Sequence, residues 1–271
     1  MAAIDAGPMA TTRLSIVAFA VLVAASIGAF FVTQHLKVTT PLIQGSPSPV
    51  PGVIDPLHGV ACAGRNNGST TISFYLQHRS DDVIVSVVDS QGDIVATVAN
   101  GRHMRKDVRH PDGVFQWDGR LDDGRVAPDG TYHFRVTLIH QNRTIDLTAV
   151  PVKVKTVPPH PVVVSVSPSA IPTPSGSRNV KIRYAGNENR GGTVLLYRTD
   201  LPGGPRLVKA FLTPWKGQTA VWDGTIRARP APPGTYLVGI EVTDAACDTG
   251  RFPMRISPAA GSAARNIVTV Q

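Results

Sequence analysis

The sequence lacks the residue patterns from which most catalytic sites are built. It contains no Gly-x-Ser-x-Gly elbow, no His-Glu-x-x-His pair and no phosphate-binding glycine loop, and its eight histidines are dispersed. Because converging nucleophiles, bases and metal ligands usually leave such patterns, we predict a protein without enzymatic activity, catalytic residues or cofactors.

Aromatic and charged residues are also scarce, at 6% and 17% of the 271 residues, and no run of four basic residues occurs. The net charge of +8 lies mainly in the second half, where residues 157–257 hold 12 basic against 6 acidic side chains. Scattered basic side chains are typical of a solvated surface, so nucleic acid is not expected as a partner. An acidic wall polymer stays open as an alternative partner of this basic half.

One long apolar run is present near the N-terminus. No charged side chain occurs from Leu14 to Gln34, and nineteen helical residues span about 28 Å, close to the thickness of a bilayer core. We therefore predict a transmembrane helix over 13–36, in contact with the membrane through 14–34, behind a cytoplasmic tail of 1–12.

Nearly all of the foldable sequence follows this helix. That order favours a single-pass signal-anchor in the cell membrane, with the domains outside the cytoplasm. The alternative is a signal peptide cleaved near Ile27-Gly28-Ala29. Residues 37–57 hold five prolines and predict a semi-rigid, extended linker that keeps the first domain a short distance off the membrane.

The rest of the chain contains a duplication. The sequence Trp-Asp-Gly occurs at 117–119 and again at 222–224, so its tryptophans lie 105 residues apart, and each copy is followed by a Pro-x-Gly-Thr-Tyr segment. A period of this length indicates duplicated domains rather than a solenoid. The glycines suit tight turns, and each tyrosine opens a strand of alternating apolar residues. We interpret twelve positions as a structural motif: Trp117, Asp118, Gly119, Pro128, Gly130, Tyr132, Trp222, Asp223, Gly224, Pro232, Gly234 and Tyr236.

Short apolar strands bounded by polar turns surround both copies of the motif. This pattern predicts an all-β fold of two tandem β-sandwiches, the first over 58–156 and the second over 157–257, with 258–271 as a linker or tail. Residues 266–270 have the pattern of a strand, which either returns to domain two or begins a further part of a longer protein.

The segment "VSVVDSQGDIVATV", followed by "FQWDGRLDDGRVAPDGTYHFRV", resembles the FlgD-type immunoglobulin-like domain, a module of many bacterial secreted and surface proteins. The resemblance covers 60–155 well and 160–257 divergently. It implies an immunoglobulin-like sandwich in each half and no activity of its own.

Four carboxylates near the first motif, those of Asp118, Asp122, Asp123 and Asp129, are weak candidates for Ca²⁺ ligands. They lack the alternation of an EF-hand loop, and turn formation and solvation account for them without a metal. The tryptophans of the motif are expected to pack the sandwiches rather than to form a sugar-binding platform.

The chain has two cysteines, Cys62 and Cys247, which are candidates for a disulfide outside the cytoplasm. Cys62 precedes the first strands of domain one, whereas Cys247 falls in the last hairpin of domain two. In an end-to-end tandem these points are expected to lie a whole domain apart, so that pairing demands side-by-side packing. The sequence leaves paired and unpaired states equally open.

These features favour a non-catalytic, membrane-anchored protein of the cell envelope whose sandwiches act as spacers or bind a partner protein. Two alternatives remain at this point. The chain is an accessory N-terminal region of a larger surface enzyme, or it is a basic protein that binds wall polysaccharide.

Overall fold

The computed structural model describes residues 9–39, 42–45, 47–62, 64–108, 112–172, 179–188, 190–256 and 265–271. Within these ranges the chain forms one N-terminal helix followed only by β-strands and loops. The predicted fold class, all-β behind a single helix, is confirmed.

Helix α1 covers Met9–Thr39, so it begins inside the predicted cytoplasmic tail and extends beyond the predicted 13–36. Its segment Ser15–Thr33 has a mean hydropathy of 2.5 and is 0% buried against the rest of the chain. Ser26 and Thr33 donate their hydroxyls to backbone carbonyls one turn earlier, at 2.9 and 2.7 Å. These two hydroxyls are therefore satisfied within the helix, as the interior of a bilayer requires. A signal sequence meets the same criteria of length and composition.

The first sandwich is built from twelve short strands. They are β1 (Ile43–Gln44), β2 (Val53–Ile54), β3 (Ala61–Cys62), β4 (Arg65–Asn66), β5 (Thr70–Ser73), β6 (Tyr75–Leu76), β7 (Asp81–Val88), β8 (Ile94–Met104), β9 (Val114–Trp117), β10 (Gly130–Leu138), β11 (Arg143–Asp146) and β12 (Val152–Val154). The larger sheet has the order β2-β12-β10-β7-β8, with β11 also paired to β10, and β5 pairs with β9 in the facing sheet.

The core of this sandwich lies between the two sheets because the strands alternate buried and exposed residues. In β10 the side chains of Tyr132, Phe134, Val136 and Leu138 point inward, which is the period of two expected for a half-solvated antiparallel strand. Phe115 of the facing sheet stacks on Phe74, with ring centroids 5.1 Å apart.

The second sandwich contains the other eleven strands. They are β13 (Val162–Ser167), β14 (Ala170–Ile171), β15 (Val180–Ala185), β16 (Gly192–Arg198), β17 (Arg206–Leu212), β18 (Thr219–Trp222), β19 (Thr225–Ile226), β20 (Arg229–Pro230), β21 (Gly234–Thr243), β22 (Thr249–Phe252) and β23 (Ile267–Val270). Its larger sheet has the order β14-β23-β21-β16-β17, with β22 also paired to β21, and the facing sheet has the order β13-β15-β18. The larger sheets of the two sandwiches thus follow the same path.

The predicted linker over 37–57 is wrong for most of its described length. Strand β1 pairs with β6, Val50 and Thr71 exchange backbone hydrogen bonds at 3.0 and 3.1 Å, and β2 runs parallel to β12. Ile54 is fully buried in the core. Apolar residues between the prolines bind this segment to domain one, so it forms the first edge of the sandwich rather than a free spacer.

The structure corrects the predicted end of domain two at 257, because the strand predicted at 266–270 returns to that domain. Strand β23 lies inside the larger sheet of domain two, antiparallel to β21 and parallel to β14, and Val268 is fully buried. Residues 266–271 therefore belong to the second sandwich, beyond its predicted end at 257. Residues 257–264 lie outside the described residues.

Candidate functional site

The duplicated motif forms the same arrangement in both sandwiches. Trp117 donates its indole N–H to the carbonyl of Arg120, and Trp222 donates to the carbonyl of Thr225, both at 2.8 Å. Trp117 lies 5.3 Å from Tyr132 between ring centroids, and Trp222 lies 5.5 Å from its counterpart Tyr236. Both tryptophans are buried, so neither ring is available as a sugar-binding platform.

The turns next to these rings repeat as well. Gly119 and Gly224 have φ of 73° and 72°, a left-handed conformation that glycine adopts without strain. Tyr132 donates its hydroxyl to the carbonyl of Pro128 at 2.8 Å, and Tyr236 donates to that of Pro232 at 2.7 Å. The predicted motif residues therefore lie together in each sandwich and hold its corner.

The four carboxylates considered as calcium ligands each have local partners. Asp118 and Asp123 accept the backbone N–H two residues later, Asp122 accepts the N–H of Thr97 at 2.7 Å, and Asp129 accepts the N–H of Thr156 at 2.8 Å. These are the bonds of turns and strand ends, and the calcium site stays a prediction without structural support.

The junction of the two sandwiches brings together charged residues that the sequence did not single out. Lys155, just after β12, donates to Asp244 Oδ2 at 2.6 Å and lies 3.1 Å from Glu188 Oε1. The side chain of Asp244 is fully buried, in the hairpin between β21 and β22. Burial works against the charged form of Lys155, but its bonds to Asp244 and Glu188 outweigh this and hold the pKa of Lys155 above its usual value.

The segment that joins the domains is packed tightly at this junction. A Cβ on Gly250 in β22 would lie 1.7 Å from the carbonyl oxygen of Pro159, a distance that no side chain tolerates. Only glycine allows the hairpin of domain two to approach the connecting segment so closely.

A second cluster at the junction contains Asp55, His58 and Asp248. One ligand atom from each residue lies within 4.8 Å of the ligand atoms of the other two. In the part of the chain that the structure describes, this is the one group of three or more side chains placed closely enough to hold a metal ion. Asp55 and His58 follow β2 in domain one, whereas Asp248 precedes β22 in domain two.

Asp55 is the organising residue of this cluster. Its Oδ1 accepts the backbone N–H groups of Leu57 and His58 at 2.8 and 3.2 Å, and its Oδ2 contacts His58 Nδ1. Burial works to raise the pKa of Asp55, but these hydrogen bonds prevail and leave that pKa below its usual value. The bond to Asp55 in turn raises the pKa of His58.

The carboxyl of Asp248, which neighbours that of Asp55, has a pKa shifted in the opposite direction. Burial and the charge of Asp55 raise the pKa of Asp248 to about 6. Its Oδ2 is buried and has no hydrogen-bond partner among the described residues. A side-chain hydrogen bond between the two carboxyls also raises the pKa of Asp248 and lowers that of Asp55. The junction therefore holds two neighbouring carboxyls, which share a proton when Asp248 is protonated.

The disulfide expectation involves the same region. Cys247, the neighbour of Asp248, is disulfide-bonded. The side chain of Cys62 lies outside the described residues, so its pairing with Cys247 stays a prediction. The premise that Cys62 lies a whole domain away from Cys247 is wrong. Cys62 belongs to the hairpin β3–β4, which is closed by the hydrogen bond from the Asp55 N–H to the Asn67 carbonyl. Asp55 itself contacts Asp248 of domain two, so this hairpin lies at the end of domain one that faces domain two.

No sequence pattern pointed to Lys155, Asp244, Asp55, His58 or Asp248 as a group. Asp55 and Asp248 come from different domains and have no shared spacing. The one local signal is that Asp244 and Asp248 flank the turn of a hairpin, where Asp244 Oδ1 accepts the N–H groups of Ala246 and Asp248 at 2.9 and 3.0 Å.

Comparison with known proteins shows which domain family the first sandwich matches. A family model described as the FlgD Ig-like domain matches residues 62–142. The basal-body rod modification proteins FlgD of Salmonella typhimurium and Salmonella typhi are each 30% identical to this chain over 105 residues, which is 39% of this chain and 42% of the relative. The chain thus spans less than half the length of the curated relatives it matches.

Among solved structures, the dimeric latent PorU of Porphyromonas gingivalis is 13% identical, with 74% of this chain and 18% of that chain covered and a TM-score of 0.28. A marsupial T cell receptor is 10% identical, with 74% and 68% covered and a TM-score of 0.37. At such TM-scores neither likeness carries an argument about function.

The matched range contains the first Trp-Asp-Gly turn and Tyr132, the residues on which the resemblance was based. The second sandwich repeats their geometry, and its descent from the same family stays a prediction. Residues 62–142 are therefore a FlgD Ig-like domain, carried by an all-β chain that has one apolar N-terminal helix.

Proposed function

We propose that this chain is a non-catalytic, membrane-anchored protein of the cell envelope whose two sandwiches form a stiff spacer. The observation that carries the proposal is the apolar segment Ser15–Thr33 of α1, which none of the described sandwich residues covers. Removal of such a surface from water is strongly favourable, and a lipid bilayer provides the matching length of hydrocarbon.

The disulfide at Cys247 supports a location outside the cytoplasm, because disulfides persist in oxidising compartments and are rare in the cytosol. With the helix as a signal-anchor, both sandwiches then lie on the outer side of the membrane.

The junction contacts support a spacer rather than a pair of loosely linked domains. Lys155 bridges two carboxylates of domain two, one of them fully buried, and Gly250 lies directly against the connecting segment. Contacts of this kind restrict the angle between domains, whereas flexible tandems are joined by exposed linkers.

The name of the Salmonella relatives refers to modification of the basal-body rod. The likeness to these relatives covers 105 residues, and the family model matches the Ig-like domain at 62–142. We therefore extend to this chain the module and not the role in the rod.

Fractionation of a bacterial host that expresses the full chain with a C-terminal epitope tests this proposal. We expect the protein to stay in the membrane fraction after an alkaline carbonate wash, and to be degraded when protease is added to intact spheroplasts. Leu22→Arg is the matched variant, because a charge near the centre of the helix costs about 3 kcal/mol of insertion free energy and should release protein from the membrane.

Two outcomes would overturn the proposal. A mature protein shortened by cleavage near Ala29 and found in the wash would show that the helix is a signal peptide. Protease resistance of intact spheroplasts, with digestion only after lysis, would place the sandwiches inside the cell.

A further inference from the structure

We propose that Asp55, His58 and Asp248 form a binding site for a divalent metal ion of the zinc type, shared between the two sandwiches. The inference goes beyond the spacer function and does not depend on it, since it concerns the junction of the sandwiches and not the membrane helix.

The geometry of the three side chains suits a small cation. Their ligand atoms all lie within 4.8 Å of one another, and the ligands of a tetrahedral zinc ion, each at about 2.0–2.2 Å from the metal, lie roughly 3.3 Å apart. Asp55 is fixed by two backbone N–H groups, so its Oδ2 has a defined position. The His58 side chain is 51% exposed and can rotate outward to admit the ion between its ring and Asp55.

The strongest independent sign of a ligand is the Asp248 carboxylate. This residue is 5% exposed, and its Oδ2 receives no hydrogen bond from any donor that the described residues provide. A buried oxygen of this kind costs about 1–3 kcal/mol if nothing binds it, and more if it is charged. Because a second buried carboxylate, that of Asp55, lies next to it, the two groups either share a proton or bind a cation, and only a cation leaves both carboxylates ionised.

The balance of charge around the site points the same way. Asp244 accepts the backbone N–H of Asp248 at 3.0 Å in the same hairpin, and the amine of Lys155 at this junction is already paired with Asp244 and Glu188. The cluster therefore combines several carboxylates with one lysine and one histidine, although the chain as a whole is basic. A divalent ion would offset this local excess of negative charge.

The ligand types select the class of metal. One imidazole with two carboxylates is typical of zinc and neighbouring transition metals, whereas calcium and magnesium prefer sites made of oxygen ligands alone. Three protein ligands leave a fourth position, and the exposed side of His58 allows water to fill it.

Metal binding at this position would couple the two domains. Asp55 and His58 belong to domain one, and Asp248 belongs to the hairpin of domain two that contains the disulfide-bonded Cys247. An ion held by all three adds a link across the junction, so it should stabilise the tandem and not either domain by itself.

The test is calorimetric titration of ZnCl₂ into the full chain in detergent, without an affinity tag and after treatment with a chelator. We expect one zinc ion per chain, and weaker binding of CaCl₂ and MgCl₂. His58→Gln and Asp248→Asn should each weaken zinc binding by at least about 10-fold, the lower limit of what loss of even an outer-shell partner costs at metal sites.

His140→Gln is the matched control, because His140 Nδ1 also contacts a buried aspartate, Asp81, at 2.9 Å, but that pair is not among the groups that could hold a metal. Its zinc affinity should stay within about 2-fold of the unmodified chain. Circular dichroism of each variant verifies that the sandwiches are folded. If Asp248→Asn fails to fold, His58→Gln still tests the site, because the exposed His58 side chain can be replaced without disturbing the core.

Three results would overturn the proposal. The first is no stoichiometric binding of zinc, and the second is equal loss of affinity in the His140 and His58 variants, which would indicate adventitious binding to surface histidines. The third is tighter binding of calcium than of zinc, which would contradict the ligand chemistry on which the site is based.

Discussion

At the scale of single residues, the two sandwiches depend on equivalent tyrosines. Tyr132 and Tyr236 each bury a ring against the tryptophan of the motif and donate a hydroxyl to a proline carbonyl. The hydrogen bond links the start of a long central strand to the turn before it.

Tyr236→Phe should lower the free energy of unfolding by about 1 kcal/mol, the usual net value of one buried hydrogen bond. Tyr184→Phe is the control in the same domain, since Tyr184 is 1% exposed and its hydroxyl has no partner in the described part of the chain. We expect the control to be neutral or slightly stabilising. Urea denaturation followed by tryptophan fluorescence measures both, and equal losses would contradict the role assigned to the Tyr236 hydroxyl.

Asp81 provides a residue-scale prediction about pH. Burial works to raise the pKa of Asp81, but hydrogen bonds from His140 and Gln141 prevail and hold it below 3.8. The unfolded chain therefore binds more protons than the folded chain near that pH, and the stability contributed by Asp81 is lost as pH falls below 3.8 through the lower folded pKa.

Asp81→Asn should cost about 1–3 kcal/mol at neutral pH, because the buried carboxylate accepts the N–H of His140 at 2.8 Å and that of Gln141 at 3.1 Å. The penalty should shrink on acidification below pH 3.8. Unfolding midpoints measured over this range test the expectation, and a penalty independent of pH would refute it.

At the scale of elements, the sequence predicted those strands and turns whose residue pattern lies within the element itself. The alternation in β10 and the Asp-Gly turns were sufficient to predict strands and corners. They were insufficient for β2, and for β23 they predicted a strand but left its partner open. Both strands are short and gain their hydrogen bonds from partners far away in the chain. The prolines at 37–57 resembled a linker because the apolar residues between them pair only with distant strands. The interpretation of 258–264 as a linker stays a prediction, because these residues lie outside the described ranges.

Strand β23 should matter for the stability of domain two. Val268→Ala removes two buried methyl groups and is expected to cost about 2 kcal/mol. Val221→Ala on β18 is the matched control, since Val221 is 50% exposed and its truncation should change stability by less than about 0.5 kcal/mol. Equal effects of the two substitutions on chemical unfolding would argue that β23 is not part of the folded sheet.

At the scale of the whole molecule, the junction is what the sequence predicted least well. Duplication predicted two sandwiches, and the domain family predicted their type. Nothing in either repeat predicted the interface, because its residues come from the loops in which the two copies differ. The same holds for the candidate metal site, whose ligands are separated by nearly the whole tandem.

Lys155→Gln should loosen this interface, since it leaves the fully buried side chain of Asp244 without its cation. We expect a loss of about 2 kcal/mol, less than for a fully buried pair because Lys155 retains some exposure. Hydrogen exchange of the backbone amides at 246–248 should also accelerate. Lys153→Gln is the control, because Lys153 is exposed on β12, two residues before Lys155. Unchanged exchange in the Lys155 variant would count against the rigid junction.

One more property follows from the way each sandwich closes. In domain one β2 and β12 are parallel, with Lys153 and Lys155 N–H groups bonded at 2.9 Å to the carbonyls of Gly52 and Ile54. In domain two β14 and β23 are parallel in the same way. The second strand and the last strand of each sandwich therefore lie side by side and point in the same direction. A pulling force between the N-terminal helix and strand β23 would load the bonds of each parallel pair together in shear, instead of opening them one at a time.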